Sequence, residues 1–222
     1  MARAFDVGVR PAGPESAREV NLAVHPCAAV ILAAGASSRM GSPKALLEIG
    51  GETFLDRLIG LFAGVCDPVV VVLGHDAGQI RAGIARSAQP LFVLNPSPEA
   101  GMLSSLQAGL CAVPHGCRSI FFHPCDMPEI KSPTLDLLLD ALAASPESTL
   151  AALPALNGRP GHPVLLRSSF IPAFLALQPG DTARRLLERE PQLIVRVPVD
   201  DPAVGRDFDT REQYTSAFGA RP

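Results

Sequence analysis

Short apolar runs, separated by segments whose apolar residues recur at helical spacing, constrain this chain more than any other feature. Ala28–Leu32, Val69–Leu73, Leu91–Leu94 and Ile120–Phe122 are near-continuous apolar stretches, the pattern of parallel strands buried on both faces. Leu150–Leu153, Val164–Leu166 and Leu193–Val197 are further candidates. Between them the period changes. Phe54, Leu55, Leu58, Ile59 and Phe62 share one helical face, as do Leu103, Leu106 and Leu110, and later Leu135, Leu138, Leu139 and Leu142. This alternation predicts an α/β fold of three α/β/α layers around a doubly wound, mostly parallel twisted sheet, with ligands at the carboxyl ends of the strands. The 222 residues suffice for one such domain with a single core. No internal repeat, low-complexity tract or second boundary divides it.

The domain is expected over 27–218. Residues 1–26 hold Pro11, Gly13 and Pro14 without periodicity and read as a flexible extension. They contain no continuous apolar stretch of the secretory kind, and no run in the chain approaches the ~20 residues of a membrane span. The formal net charge of −3 gives no bulk attraction to nucleic acid or an anionic membrane, so any phosphate must be held by a local site. The cysteines (Cys27, Cys66, Cys111, Cys117 and Cys125) are odd in number and form no CxxC pair. That usage fits reduced thiols and a cytoplasmic location better than disulfides or zinc.

The most informative stretch follows the first strand: Leu32-Ala33-Ala34-Gly35-Ala36-Ser37-Ser38-Arg39-Met40-Gly41-Ser42-Pro43-Lys44. Small residues let the backbone approach a ligand, and its N–H groups can converge on phosphate oxygens. Arg39 offers a planar fork of donors and Lys44 a compact charge, so a polyphosphate can be gripped at two points. GxGxxG and GxxxxGK[ST] are both absent, which argues against a dinucleotide-binding dehydrogenase and excludes a P-loop ATPase.

Downstream, several residues admit two uses each. Asp126, after the run Ser119–His123, suits a metal bridging phosphate oxygens, or a cap for the segment opening at Met127-Pro128. Asp207 and Asp209, two apart in an extended segment, suit a hard cation, while Asp209 equally suits the N-cap of a helix starting near Arg211. Ser104 and Ser105 open a helix whose N–H groups and hydroxyls can hold an anion or a base, or simply fill its first turn. His162, next to Pro163, reads first as structural. Arg184 and Arg185 suit an acceptor phosphate or solvent.

The loop Leu32–Lys44 resembles the signature of the molybdenum cofactor nucleotidyltransferases, a long and specific motif. The resemblance extends over about residues 28–215 and implies a nucleotide-diphospho-sugar transferase-like fold. It implies nucleotide contacts from Leu32, Ala33, Ala34, Gly35, Ser37, Ser38, Arg39, Met40, Gly41 and Lys44, with Arg39 and Lys44 on the triphosphate. Asp126-Met127-Pro128 is similar to the family's magnesium-binding Asp-x-Pro, although Cys125 stands where glycine is usual. Asp207-Phe208-Asp209-Thr210 is similar to its Asp-x-Asp-Thr element, which implies a second magnesium contact from Asp209, with Asp207 close behind. Gly101-Met102 with Ser104, Ser105 and Leu106 resembles the nucleotide-pocket motif, lacking the aromatic often found before the glycine. Gly161-His162-Pro163-Val164 and Gly180-Asp181-Thr182-Ala183-Arg184 resemble acceptor-side segments of the cytidylyltransferase branch, the second shortened by one residue; they imply acceptor contacts from His162 and Arg184. Ala33-Ala34 also resembles that branch.

The implied reaction is magnesium-dependent attack by the molybdopterin phosphate on the α-phosphorus of CTP, with Arg39, Lys44 and Asp126 as the catalytic set. It gives molybdopterin cytosine dinucleotide and pyrophosphate, and a molybdoenzyme that receives the product is a candidate partner. Such transfer needs positioning and charge neutralisation more than a strong base. The alternatives are the same chemistry with GTP, transfer to another phosphorylated acceptor, and a non-catalytic cofactor chaperone that binds nucleotide.

Overall fold

The computed structural model describes residues 27–86 and 89–219; the expected extension at 1–26 lies outside the described residues. β1 (Cys27–Ala33) is buried along its whole length. A tight hairpin, β2 (Glu48–Ile49) and β3 (Glu52–Thr53), leads into α1 (Phe54–Ala63), whose N-cap Thr53 accepts a hydrogen bond from the Asp56 N–H. Then come β4 (Val69–Leu73), α2 (Ala77–Gly83), β5 (Leu91–Leu94), α3 (Met102–Cys111), β6 (Ser119–Pro124) and α4 (Ser132–Ala144). The second half holds β7 (Ala151–Leu156), β8 (Arg159–Pro160), β9 (Val164–Arg167), α5 (Ile171–Leu175), α6 (Ala183–Arg189), β10 (Ile194–Pro198) and α7 (Arg211–Phe218).

The main sheet runs β10-β7-β9-β6-β1-β4-β5, with β8 on β7. All its long pairings are parallel except those of β9, which runs against both β6 and β7. The reversal has a physical cause. Parallel neighbours need a crossover of a dozen or more residues, whereas the chain turns back after β7 at Asn157-Gly158, both with positive φ (51° and 78°). Apolar runs are silent on strand direction, so only the length of this return distinguishes β9 from its neighbours.

Strand alternation divides the core into two faces. Ala29, Ile31 and Ala33 of β1 join Leu55, Leu58, Ile59 and Phe62 of α1, Ile80 of α2 and Leu135, Leu138 and Leu142 of α4. Ala28, Val30 and Leu32 join Leu106 and Leu110 of α3, Phe174 of α5 and Leu187 of α6 on the other face. Helices therefore cover both sides of the sheet, which makes the three layers. Met40, Leu47, Phe54, Phe208 and Tyr214 form a third, smaller cluster. It joins the loop after β1 to the C-terminal segment, a long-range contact that local periodicity cannot announce. No helix among the described residues is long and apolar enough to cross a membrane. All five cysteines stand as free thiols.

Candidate active site

The site begins with the register of two adjacent parallel strands. Leu32 of β1 stands opposite Pro124 of β6, and the Cys125 N–H donates to the Leu32 carbonyl at 3.0 Å. The loop after β1 and the residue after β6 must therefore emerge side by side at the carboxyl edge of the sheet, where such folds gather ligands. Cys125 is that residue, and Asp126 follows it directly.

The loop is shaped by its own backbone. The N–H groups of Met40 and Gly41 donate to the Ser37 carbonyl at 2.9 and 3.3 Å, and the Ser37 hydroxyl accepts from the Lys44 N–H at 2.9 Å. Ser37 (φ 48°) and Gly41 (φ 80°) both occupy the left-handed region. Gly35, Ala36, Ser38, Arg39 and Gly41 are exposed. Met40 points the other way: its side chain is fully buried in the third cluster. Expected among the nucleotide contacts, Met40 has only its backbone on the loop side, because the apolar side chain is drawn under the loop.

Lys44 ties three distant segments together. Its Nζ donates to Asp126 Oδ2 at 2.9 Å and to Asp209 Oδ1 at 2.5 Å. Burial alone would lower the Lys44 pKa, but the hydrogen bonds and charges of Asp209 and Asp126 outweigh it, and the net shift is upward. The same contact with Lys44 holds the Asp209 carboxyl below the usual carboxylate range. The Arg39 guanidinium, largely solvent-exposed, stands 3.5 Å from Asp209. Two cations and two carboxylates thus alternate along one edge of the cleft.

The C-terminal segment reaches this place by its own anchors. The Phe208 N–H donates to the Asp126 carbonyl at 3.0 Å, and the Phe208 ring is buried against Phe54. The N-cap of α7 is Thr210, not Asp209. The Thr210 hydroxyl accepts from the Gln213 N–H, and Gln213 Oε1 in turn accepts from the N–H groups of Asp209 and Thr210, a complete capping box. That frees the Asp209 carboxylate for Lys44. Asp126 likewise caps nothing: among the described residues its carboxylate bonds to Lys44 alone. Asp207 is exposed and has no hydrogen-bond or ion-pair partner among them, whereas Asp209 lies against Lys44. Among the described residues no three His, Cys, Asp or Glu side chains gather as a metal-holding group. The carboxylates of Asp126 and Asp209 meet at the Lys44 ammonium.

Beside these groups lies a cavity of about 270 Å³ lined by Leu32 through Gly35, Ser37, Lys44, Asp126, Pro98, Met102 and Ser105, among others. Ser105 faces it, whereas Ser104 does not. The Ser104 hydroxyl accepts from Asn95 Nδ2 at 2.9 Å and lies within bonding distance of the Ser97 and Gly101 carbonyls, so it braces the turn instead. Asn95 Nδ2 also donates to Ser105, which locks the opening of α3 to the end of β5. Ile80 of α2 completes the lining; a single apolar residue within a core-facing helix carried no sign of this.

His123, to which the sequence assigns no role, braces the turn that follows β6. Its Nε2–H donates to the Met127 carbonyl at 2.9 Å, which fixes that tautomer and leaves Nδ1 without a partner among the described residues. Burial, with His162 adding to it, pushes the His123 pKa down to about 3. The His162 ring packs edge-on against Phe122, and burial lowers its pKa too. Gly161 must be glycine, since a Cβ there would collide with the Val204 carbonyl. Arg184 is exposed on α6, paired with Glu188 at 2.7 Å, and does not line the cavity.

Comparison with known proteins bears on the family and the fold. Residues 29–195 match the family model described as the MobA-like NTP transferase domain. The molybdenum cofactor guanylyltransferase of Sinorhizobium fredii strain NGR234 is 35% identical over 126 residues, 56% of this chain and 57% of that one. The molybdenum cofactor cytidylyltransferase of Escherichia coli K12 is 31% identical over 137 residues, 62% of this chain and 68% of that one. The chain thus spans between 57% and 68% of the length of these curated relatives. Among solved structures, Rv0371c of Mycobacterium tuberculosis H37Rv superposes with a TM-score of 0.77 at 24% identity, over 88% of this chain and 98% of that one.

Proposed function

Since the chain belongs to the MobA-like NTP transferase family, we propose that it transfers a nucleoside monophosphate from a nucleoside triphosphate to the phosphate of molybdopterin, with CTP as the preferred donor. The observation that carries this reading is the meeting of Lys44, Asp126 and Asp209 beside the glycine-rich loop and the cavity. An acceptor phosphate oxygen attacks the α-phosphorus. The new bond joins that oxygen to the α-phosphorus, the bond to the oxygen bridging to the β-phosphorus breaks, and pyrophosphate leaves with the electron pair.

The chain's own residues bind and neutralise. The loop N–H groups and Arg39 take the β- and γ-phosphate oxygens, and Lys44, released from the carboxylates, follows the charge that develops on the leaving pyrophosphate. The acceptor is already anionic, so no strong base is needed. No residue forms a covalent intermediate.

Magnesium is the implied cofactor, and the residues fit it. The position between Asp126 and Asp209 already holds a positive charge, the Lys44 ammonium. Both carboxylates offer hard oxygen donors, and Mg²⁺ is commonly held by one or two carboxylates together with substrate phosphates. Asp126 and Asp209 would hold the ion, which supplies charge neutralisation at the donor phosphates.

The choice of CTP rests on Ala33-Ala34 and Gly161-His162-Pro163-Val164 and on a compact cavity bordered by Ser105. A guanylyl donor is the second reading, favoured by the 35% identity to the guanylyltransferase of S. fredii. Incubation with equimolar CTP, GTP, ATP and UTP, magnesium and molybdopterin tests both, with the product mass as the readout. A mainly cytosine adduct is expected. A mainly guanine adduct would move the protein to the second reading, and no adduct with any nucleotide would overturn the transferase reading in favour of a nucleotide-binding chaperone.

A further inference from the structure

The turn at 37–41 holds itself by the two backbone bonds to the Ser37 carbonyl, and a contact from outside the loop adds to them. Ser37 takes a left-handed conformation that favours glycine or asparagine over serine, and the tip of the loop is exposed on both sides of Ser37. Arg211, the first residue of α7, reaches across: its Nε–H donates to the Met40 carbonyl at 2.6 Å. Its guanidinium also fills the space beside Gly41, where a Cβ would collide with it. Gly41 is therefore needed twice, for a φ of 80° and for the arginine against it.

The element that supplies Arg211 is itself firmly seated. The capping box closes its first turn, Tyr214 donates from its hydroxyl to the Glu48 carbonyl at 2.8 Å, and the Tyr214 ring packs on Phe54. Two residues earlier, Asp209 holds Lys44. One short stretch of chain thus grips the loop at its middle, through Arg211, and at its end, through Lys44.

We infer that Arg211 is a positioning residue for the nucleotide: it sets the 37–41 turn in the shape that presents the N–H groups of Ser38 and Arg39 to the triphosphate, those of Met40 and Gly41 being bonded to the Ser37 carbonyl. The inference rests on the nucleotide reading proposed above. A merely structural arginine would lower stability and affect both substrates alike. A positioning arginine weakens nucleotide binding selectively, because only the nucleotide meets the loop.

The test compares wild type with Arg211→Met and Arg211→Lys in the full chain. Amide hydrogen exchange over 37–44 is followed without ligand, along with CTP affinity by calorimetry, the KM of the acceptor and kcat at saturating CTP. Arg211→Met is expected to speed exchange in the loop about tenfold and weaken CTP binding about tenfold. Acceptor KM and kcat should stay within about twofold, and Arg211→Lys should recover part of the affinity through a single donor. Unaltered loop exchange, faster exchange with unaltered CTP affinity, or equal losses for CTP and acceptor tracking a fall in Tm would each overturn the inference. Wild-type protein that bound no nucleotide would instead overturn the nucleotide reading, and the inference with it.

Discussion

At the scale of single residues, the account depends on Lys44 standing between Asp126 and Asp209. Asp126→Asn is expected to reduce turnover by orders of magnitude while the thermal midpoint moves little, since Asp126 lies partly in solvent and packs no core. Near-normal activity of that variant in saturating magnesium would rule out Asp126 as a magnesium ligand. Arg39→Ala and Lys44→Ala should each weaken triphosphate binding by about ten- to hundredfold, the loss of one charge-assisted contact of roughly 1.5–3 kcal/mol. Titration with a non-hydrolysable NTP checks this, and unchanged affinity in both would detach the loop from the triphosphate. Charged and glycine-flanked residues of this kind were legible in the sequence because chemistry demands particular residue types at fixed spacing. Arg211 and His123 were not. Their importance comes from contacts with the Met40 and Met127 carbonyls, and a backbone acceptor leaves no mark on the sequence.

At the scale of elements, the boundaries follow local signals closely where those signals are strong. β4 and β5 coincide with the apolar runs at Val69–Leu73 and Leu91–Leu94, and α1 buries the expected face. Asp209 was the N-cap that the sequence suggested for α7; the cap is instead Thr210, because Gln213, three residues after it, closes the box. Thr210→Ala should therefore cost about 1 kcal/mol of stability, measured by urea unfolding. It should also lower CTP affinity, because Asp209 and Arg211 flank the cap. A stability loss with unchanged CTP affinity would separate the cap from the site.

At the scale of the whole molecule, the α/β alternation was enough to foresee a sheet covered on both faces, but not the reversed β9 or the cluster that joins Met40 to Phe208 and Tyr214. Burial in that sheet also sets a pH response. His123 stays neutral down to about 3 in the folded protein, whereas an unfolded histidine takes up a proton near 6.5. The unfolded chain then binds more protons between these values, so stability present above pH 6.5 drains away as pH falls toward 3, by up to roughly 1.4 kcal/mol per pH unit. His123→Gln should flatten urea midpoints measured from pH 7 to pH 4; equal slopes in both proteins would contradict the buried neutral imidazole. The most direct test of nucleotidyl transfer follows the phosphorus itself, with NTP labelled at the α- or the γ-position, supplied with molybdopterin and magnesium. The account predicts that α-label enters the acceptor product while γ-label leaves in pyrophosphate, only when both substrates are present. Release of γ-label as orthophosphate, with no α-label in the product, would contradict it.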